Sequence, residues 1–171
     1  GSSNTITTYN HPPISSSTWT TIKAETPGGV ILDGESSREL FSFIPGTEVP
    51  VYWKFDGLIF ENSSTTGIQL ARADYVKFTR CGFMDPEIGS DAVNVQICAY
   101  VLFEDCYSWG AARYHFHFYN VNHSVMRRCI VRHDRGTFGF QIGFQVYNSA
   151  YIDVQNCIVI DSNQTSLYNS P

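Results

Sequence analysis

The sequence predicts an all-β solenoid: a right-handed parallel β-helix of about six coils, each with about three short strands. Two observations carry that prediction. First, a short segment ending in cysteine recurs at residues 75–81, 100–106, 123–129 and 151–157, placing Cys81, Cys106, Cys129 and Cys157 at intervals of 25, 23 and 28 residues. Second, aligning the chain on those anchors lines up apolar residues in columns, with alternation inside each short run and no helical period between runs.

A fifth copy at residues 53–59 fits with Leu58 in the cysteine position. Three places before the anchors stand Phe55, Phe78, Phe103, Met126 and Val154. Eleven before stand Leu70, Val95, Phe118 and Val146, and thirteen before stand Ile68, Val93, Phe116 and Phe144. In the coil around Cys129 the strands are expected at 115–119, 124–127 and 129–132. Two corners keep their length from coil to coil. The third varies, as in 85–92 and 133–138, and variable loops on one side of a regular scaffold are where function tends to sit. The whole of 1–171 reads as a single β-helix domain, with 1–20 an irregular lead-in and 21–171 coiled. It stops midway into another coil, as a fragment of a longer chain or one that stacks end to end would.

Composition agrees. The chain has 171 residues, 43% hydrophobic and 15% aromatic, enough for a sizeable core, and only 16% charged. A net charge of −5 argues against a nucleic-acid partner, and no run of about 18 apolar residues offers a membrane span. The five cysteines show no zinc-ligand spacing. Four share one inward column, where thiols act as small apolar groups and seldom reach disulfide geometry.

The segments at 21–37 (TIKAETPGGVILDGESS) and 53–62 (WKFDGLIFEN) resemble the opening coils of the pectin-lyase-like superfamily, most closely its alginate-lyase and chondroitinase-B-like branch. The resemblance implies a carbohydrate-active protein outside the cell or at its surface, with a polysaccharide as partner. It implies a groove on the face of the strand that precedes each anchor by about a dozen residues, and β-elimination rather than hydrolysis if the protein is an enzyme. It also implies calcium, although no cofactor is evident from the residues themselves. The later run in which that branch carries its catalytic Lys, Arg and calcium-binding acids does not occur here, nor does the Gly-Asp-Asp signature of β-helical polygalacturonases. A non-catalytic structural or adhesin-like rod is therefore the alternative.

The residues on that face suit a sugar. Twelve before the anchor are Gln69, Asn94, His117 and Gln145, and ten before are Ala71, Gln96, Tyr119 and Tyr147. Amides and hydroxyls match carbohydrate donors and acceptors, and rings offer flat apolar surface. A uronic-acid lyase needs a base for the C5 proton and a cation for the carboxylate. His115 or His117 with Arg113 could supply both, with Tyr119 as acid. Asp91 and Arg135, at the loop edge, join Gln69, Asn94, Gln96, Gln145 and Tyr147 as candidate substrate contacts. His115 and His117, two apart on a strand, are expected to point the same way; that could begin a zinc site, but Asn94 and Gln145 beside them are poor ligands. Asp85, Glu87, Asp91 and Asp134 are the carboxylates available for the pair a glycosidase needs, a weak signal because all are in loops. Arg127 and Arg128 are expected to pair with Glu104 and Asp105 across coils, and Tyr75, Tyr100, His123 and Tyr151 to stack as a corner ladder.

Overall fold

The computed structural model describes residues 18–110, 112–133 and 142–161, with the backbone of Leu167–Ser170. Asp134 and Arg135 lie outside the described residues. The first two coils comprise β1 (Thr20–Lys23), β2 (Val30–Asp33), β3 (Phe41–Phe43), β4 (Val49–Asp56), β5 (Leu58–Glu61) and β6 (Ile68–Ala71). The next two comprise β7 (Ala73–Thr79), β8 (Gly82–Met84), β9 (Val93–Gln96), β10 (Val101–Glu104), β11 (Tyr107–Trp109) and β12 (Tyr114–Tyr119). The last two comprise β13 (Asn122–Arg127), β14 (Ile130–Arg132), β15 (Ile142–Tyr147), β16 (Ala150–Gln155), β17 (Ile158–Ile160) and β18 (Leu167–Ser170).

Every third strand pairs in parallel, giving three sheets of six strands: β1-β4-β7-β10-β13-β16, β2-β5-β8-β11-β14-β17 and β3-β6-β9-β12-β15-β18. The columns expected from the sequence are the observed registers. Phe55, Phe78, Phe103, Met126 and Val154 face one another in the first sheet. Phe116 pairs with Val93 and Phe144, and Phe118 with Val95 and Val146, in the third. All these strands present alternate residues to one interior, as a period of two requires.

In that interior like rings stack on like. Phe55, Phe78 and Phe103 lie 4.9 Å apart centroid to centroid, the second pair only 3° from parallel. Phe116 stacks on Phe144 at 5.4 Å and meets Phe103 edge-on. Each such pair adds about 0.5–1.5 kcal/mol beyond its buried area.

The cysteine column does more than fill space. Each thiol donates toward carbonyls at its corner: Cys106 Sγ reaches Glu104 O at 3.3 Å and Phe78 O, one coil back, at 3.4 Å. Cys81 and Cys129 repeat that pattern. All five cysteines are free thiols.

Corners turn on single residues of positive φ stacked coil upon coil. One column is Gly57, Arg80, Asp105, Arg128 and Asn156; another is Arg72, Ile97, Asn120 and Asn148. The left-handed region suits Gly and Asn and penalises β-branched chains, so Ile97 at φ 53° is strained. Its column already holds an amide ladder, Asn148 Nδ2 donating to Asn120 Oδ1. Ile97→Asn is accordingly expected to stabilise by about 1 kcal/mol and raise Tm by roughly 2–4 °C, read by thermal unfolding. A lowered Tm would mean that the half-buried isoleucine side chain contributes more than the backbone strain costs.

Outside, the cross-coil ion pairs are as expected: Arg127 holds Glu104 at 2.8 Å, and Arg128 reaches Asp105 at 2.6 and 3.0 Å. Arg80 turns the other way and grips Asp56 through two hydrogen bonds of 2.9 and 2.8 Å. The corner ladder runs Tyr52–Tyr75–Tyr100–His123–Tyr151 with centroid spacings of 4.7, 4.7, 5.5 and 4.6 Å. Its rings spend their faces on one another, so it fixes coil register.

Candidate functional site

The variable corner joins the second sheet to the third, so Asp91 and Arg113 stand just before β9 and β12, next to the outward face of that sheet. On that face His117 sits between Asn94 of the preceding coil and Gln145 of the next, with Gln69 beyond Asn94. Backbone bonds carry the regular stacking into the loops: Arg113 N donates to Ser90 O at 2.8 Å, Ala92 N to Tyr114 O at 2.9 Å, and Ile142 N to Arg113 O at 3.0 Å. Asp91 and Arg113, 22 residues apart, are thereby set side by side.

Asp91 is the centre of the cluster. Its side chain is 1% exposed. Arg113 Nε donates to Oδ1 at 3.0 Å, and the Nη2 end of the same guanidinium lies 3.0 Å from that oxygen. Asn94 Nδ2 donates to Oδ2 at 3.0 Å, and His117 Nδ1 lies 3.0 Å from the same Oδ2. A carboxylate can only accept, so Nδ1 of a neutral His117 carries the hydrogen and Nε2 keeps its lone pair. A buried charge with no partner would be costly; here three donors compensate it.

Aromatic contacts hold the edges. The Arg113 guanidinium lies 4.4 Å over the Tyr114 ring, and Tyr114 meets His117 edge-on at 4.8 Å. Two residues along the strand, Tyr119 stacks on Tyr147 at 5.5 Å, its centroid 6.5 Å from that of His117. Both tyrosines are more than one-third exposed, and Gln96 lies beside Tyr119 in register. Gln69 opens into a shallow cleft of about 230 Å³ with Phe41, Ser42, Thr65 and Thr66. The larger hollow, about 400 Å³ between Asn62, Ser63, Asp85 and Glu87, includes none of the clustered residues. We place the site by the converging polar groups, because a solenoid face is too flat for hollow size to mark function.

His115 overturns its expectation. Its side chain is among the largest fully buried ones, and it does not share the outward face with His117. Nδ1 meets Ser108 Oγ, itself buried on the second sheet, at 2.7 Å, and Nε2 lies 3.4 Å from His133 Nδ1. The reason is local. The regular pairing with β9 begins at Phe116, and the pairing with β15 passes from Tyr114 to Phe116, so alternation does not extend through His115 at the corner. Burial first, and His133 second, push the His115 imidazole down to about 3. It stays neutral and out of reach, so neither a catalytic base nor a two-histidine zinc site can be built on it. His133 is likewise buried. Arg135 lies outside the described residues. Among the described residues, no three His, Cys, Asp or Glu side chains converge on a metal position.

Comparison with known proteins agrees with this architecture. A family model described as the right-handed β-helix region matches residues 14–170. No curated protein sequence matches the chain. Among solved structures, a proposed glycosyl hydrolase from Parabacteroides merdae superposes with a TM-score of 0.57 at 13% identity, covering 84% of this chain and 75% of that one. At that identity the likeness concerns the fold. With 18 strands in three parallel sheets among the described residues and a family model spanning nearly its whole length, the chain belongs to the right-handed β-helix family.

Proposed function

We propose that this chain binds an acidic polysaccharide along the outward face of the third sheet and cleaves it by β-elimination. One observation carries the reading: a single buried carboxylate, Asp91, orients both a basic nitrogen on His117 and the cation of Arg113. His117 Nε2 takes the proton from C5 of a uronate unit. The electron pair of that C–H bond forms the C4–C5 double bond, and the bond from C4 to the glycosidic oxygen breaks. Arg113, its side chain 39% exposed, neutralises the uronate carboxylate while negative charge builds on it. Tyr119 returns a proton to the leaving oxygen. Membership of the β-helix family and the fold shared with a proposed glycosyl hydrolase support a carbohydrate substrate. Hydrolysis by a carboxylate pair is less well served, since both oxygens of Asp91 are engaged.

The test is incubation with alginate, polygalacturonate and chondroitin, following the ultraviolet absorbance of the unsaturated uronate product, with binding measured in parallel. Product is expected from the wild type and should fall by about 10²-fold or more in His117→Ala, with a smaller loss in Tyr119→Phe. Binding without product would reduce the site to recognition alone. No binding by any of the three would overturn the reading and leave a structural rod.

A further inference from the structure

Three buried polar atoms among the described residues have no hydrogen-bond partner: Trp53 Nε1, Asn94 Oδ1 and Gln145 Oε1. Trp53 is packed among the rings of Phe41, Phe43 and Phe55. The other two share one outward column and lie on either side of His117, one coil before it and one coil after. Each residue is 7% exposed. An orphaned buried acceptor costs about 1–3 kcal/mol, so two beside the same imidazole call for an explanation.

The orientation of Asn94 is settled by its neighbour. Nδ2 donates to Asp91 Oδ2, and a flipped amide would set oxygen against carboxylate. Oδ1 is thus the open position. His117, with its Nδ1 hydrogen on Asp91, leaves Nε2 as an acceptor too. The column therefore reads acceptor, acceptor, acceptor over three coils, about 4.8 Å apart at each step. That step is close to the length of one sugar unit, and the complement of such a row is a row of hydroxyl hydrogens.

We infer that Asn94 and Gln145 are specificity residues of the groove, each shifting an oxygen that is closed to solvent in the free protein so that it accepts a hydroxyl hydrogen from the sugar units that flank the one over His117. This rests on the polysaccharide reading above and adds direction and selectivity to it. The chain of sugars runs along the solenoid axis with hydroxyls toward the amide column, and the uronate carboxylate turns to Arg113 at the loop edge. The cost of the orphaned oxygens in the free protein is recovered when the sugar arrives.

Gln145→Met tests this with two readouts, because methionine keeps the length of the side chain and removes the amide. The variant should unfold at a higher temperature than the wild type without ligand. It should also bind about ten-fold more weakly to whichever of alginate, polygalacturonate and chondroitin the wild type binds. Gln145→Leu serves as a second apolar replacement should methionine pack poorly. A lower unfolding temperature in both variants would overturn the inference, since the amide would then be satisfied in the free protein by an ordered water. Unchanged affinity would overturn it as well, whatever the unfolding temperature. A wild-type chain that binds none of the three polysaccharides overturns the groove reading itself; binding that survives both substitutions overturns only the inference.

Discussion

Replacing Asp91 with alanine is expected to cost about 2–4 kcal/mol of folding stability, the largest effect of any single substitution on the outward face. The carboxylate is buried, and three groups donate to it or charge-pair with it. Removing it leaves the Asn94 amide and the His117 Nδ1–H without their buried acceptor, and each such loss costs on the order of 1–3 kcal/mol. Arg113 contributes less, because its side chain is 39% exposed and water takes over part of the solvation of its charge. Asp91→Asn tests the geometry differently: one end of an amide is a donor, and it would face a donor whichever way it turned. Urea unfolding of both variants measures the loss. Combining Asp91→Ala with His117→Ala should cost less than the two single changes added together, because they share one hydrogen bond. A loss under ~0.5 kcal/mol in Asp91→Ala would place it with ordinary surface changes and remove the ground for treating the cluster as built.

How much of this was legible in the sequence follows from where the repeat is regular. The spacing of Cys81, Cys106, Cys129 and Cys157 is enough to align the coils, and from it come the registers that place Phe55 on Phe78, Phe116 on Val93 and His117 between Asn94 and Gln145. Column logic also anticipates Arg127 on Glu104. It fails at the corners. Alternation assigns His115 to the face of His117, yet the strand has not settled into its ladder at that residue, and the ring turns inward to Ser108. Asp91, expected as a substrate contact and as one of several loop carboxylates, is instead buried and holds Arg113, Asn94 and His117, an arrangement hidden because loops break the count. Extending the columns back from Val93 and Phe116 sets Asp91 opposite Tyr114 and Ser90 opposite Arg113, one residue from Asp91, and the bond from Arg113 N to Ser90 O shows that the stacking does reach that far. The orphaned oxygens of Asn94 and Gln145 carry no sequence signal: an amide's partners depend on which atoms face it, and the same residues on a solvated sheet would bond to water.

Acid should destabilise this protein before its carboxylates begin to protonate, and His115 is the reason. Burial holds its imidazole down to about 3 in the native state, whereas the unfolded chain titrates near the ordinary histidine value of about 6.5. Between those values the unfolded state binds a proton that the native state refuses. Stability is therefore fully present above about 6.5 and falls by roughly 1.4 kcal/mol per pH unit below it, approaching roughly 5 kcal/mol near pH 3. The groups facing the ring are Ser108 and His133; Ser108 carries no charge, and a second positive charge on His133 would only oppose protonation further. The carboxylates act in a lower window. Hydrogen bonds from Arg127 and Arg128 hold Glu104 and Asp105 below their ordinary values, so their contribution is present above the unfolded carboxylate range near 4 and is lost as pH falls through it. Urea midpoints measured from pH 7.5 to 4.5 thus read the histidines apart from the carboxylates, and comparison with a His115 variant singles out His115. His115→Gln keeps a side chain able to bond Ser108 and removes the titration, so it should flatten the slope in that interval even if it lowers stability at pH 7.5. An equal slope in the variant would mean that His115 is protonated in the native protein, and the buried Ser108–His115–His133 chain would then have to open to water to let the proton in.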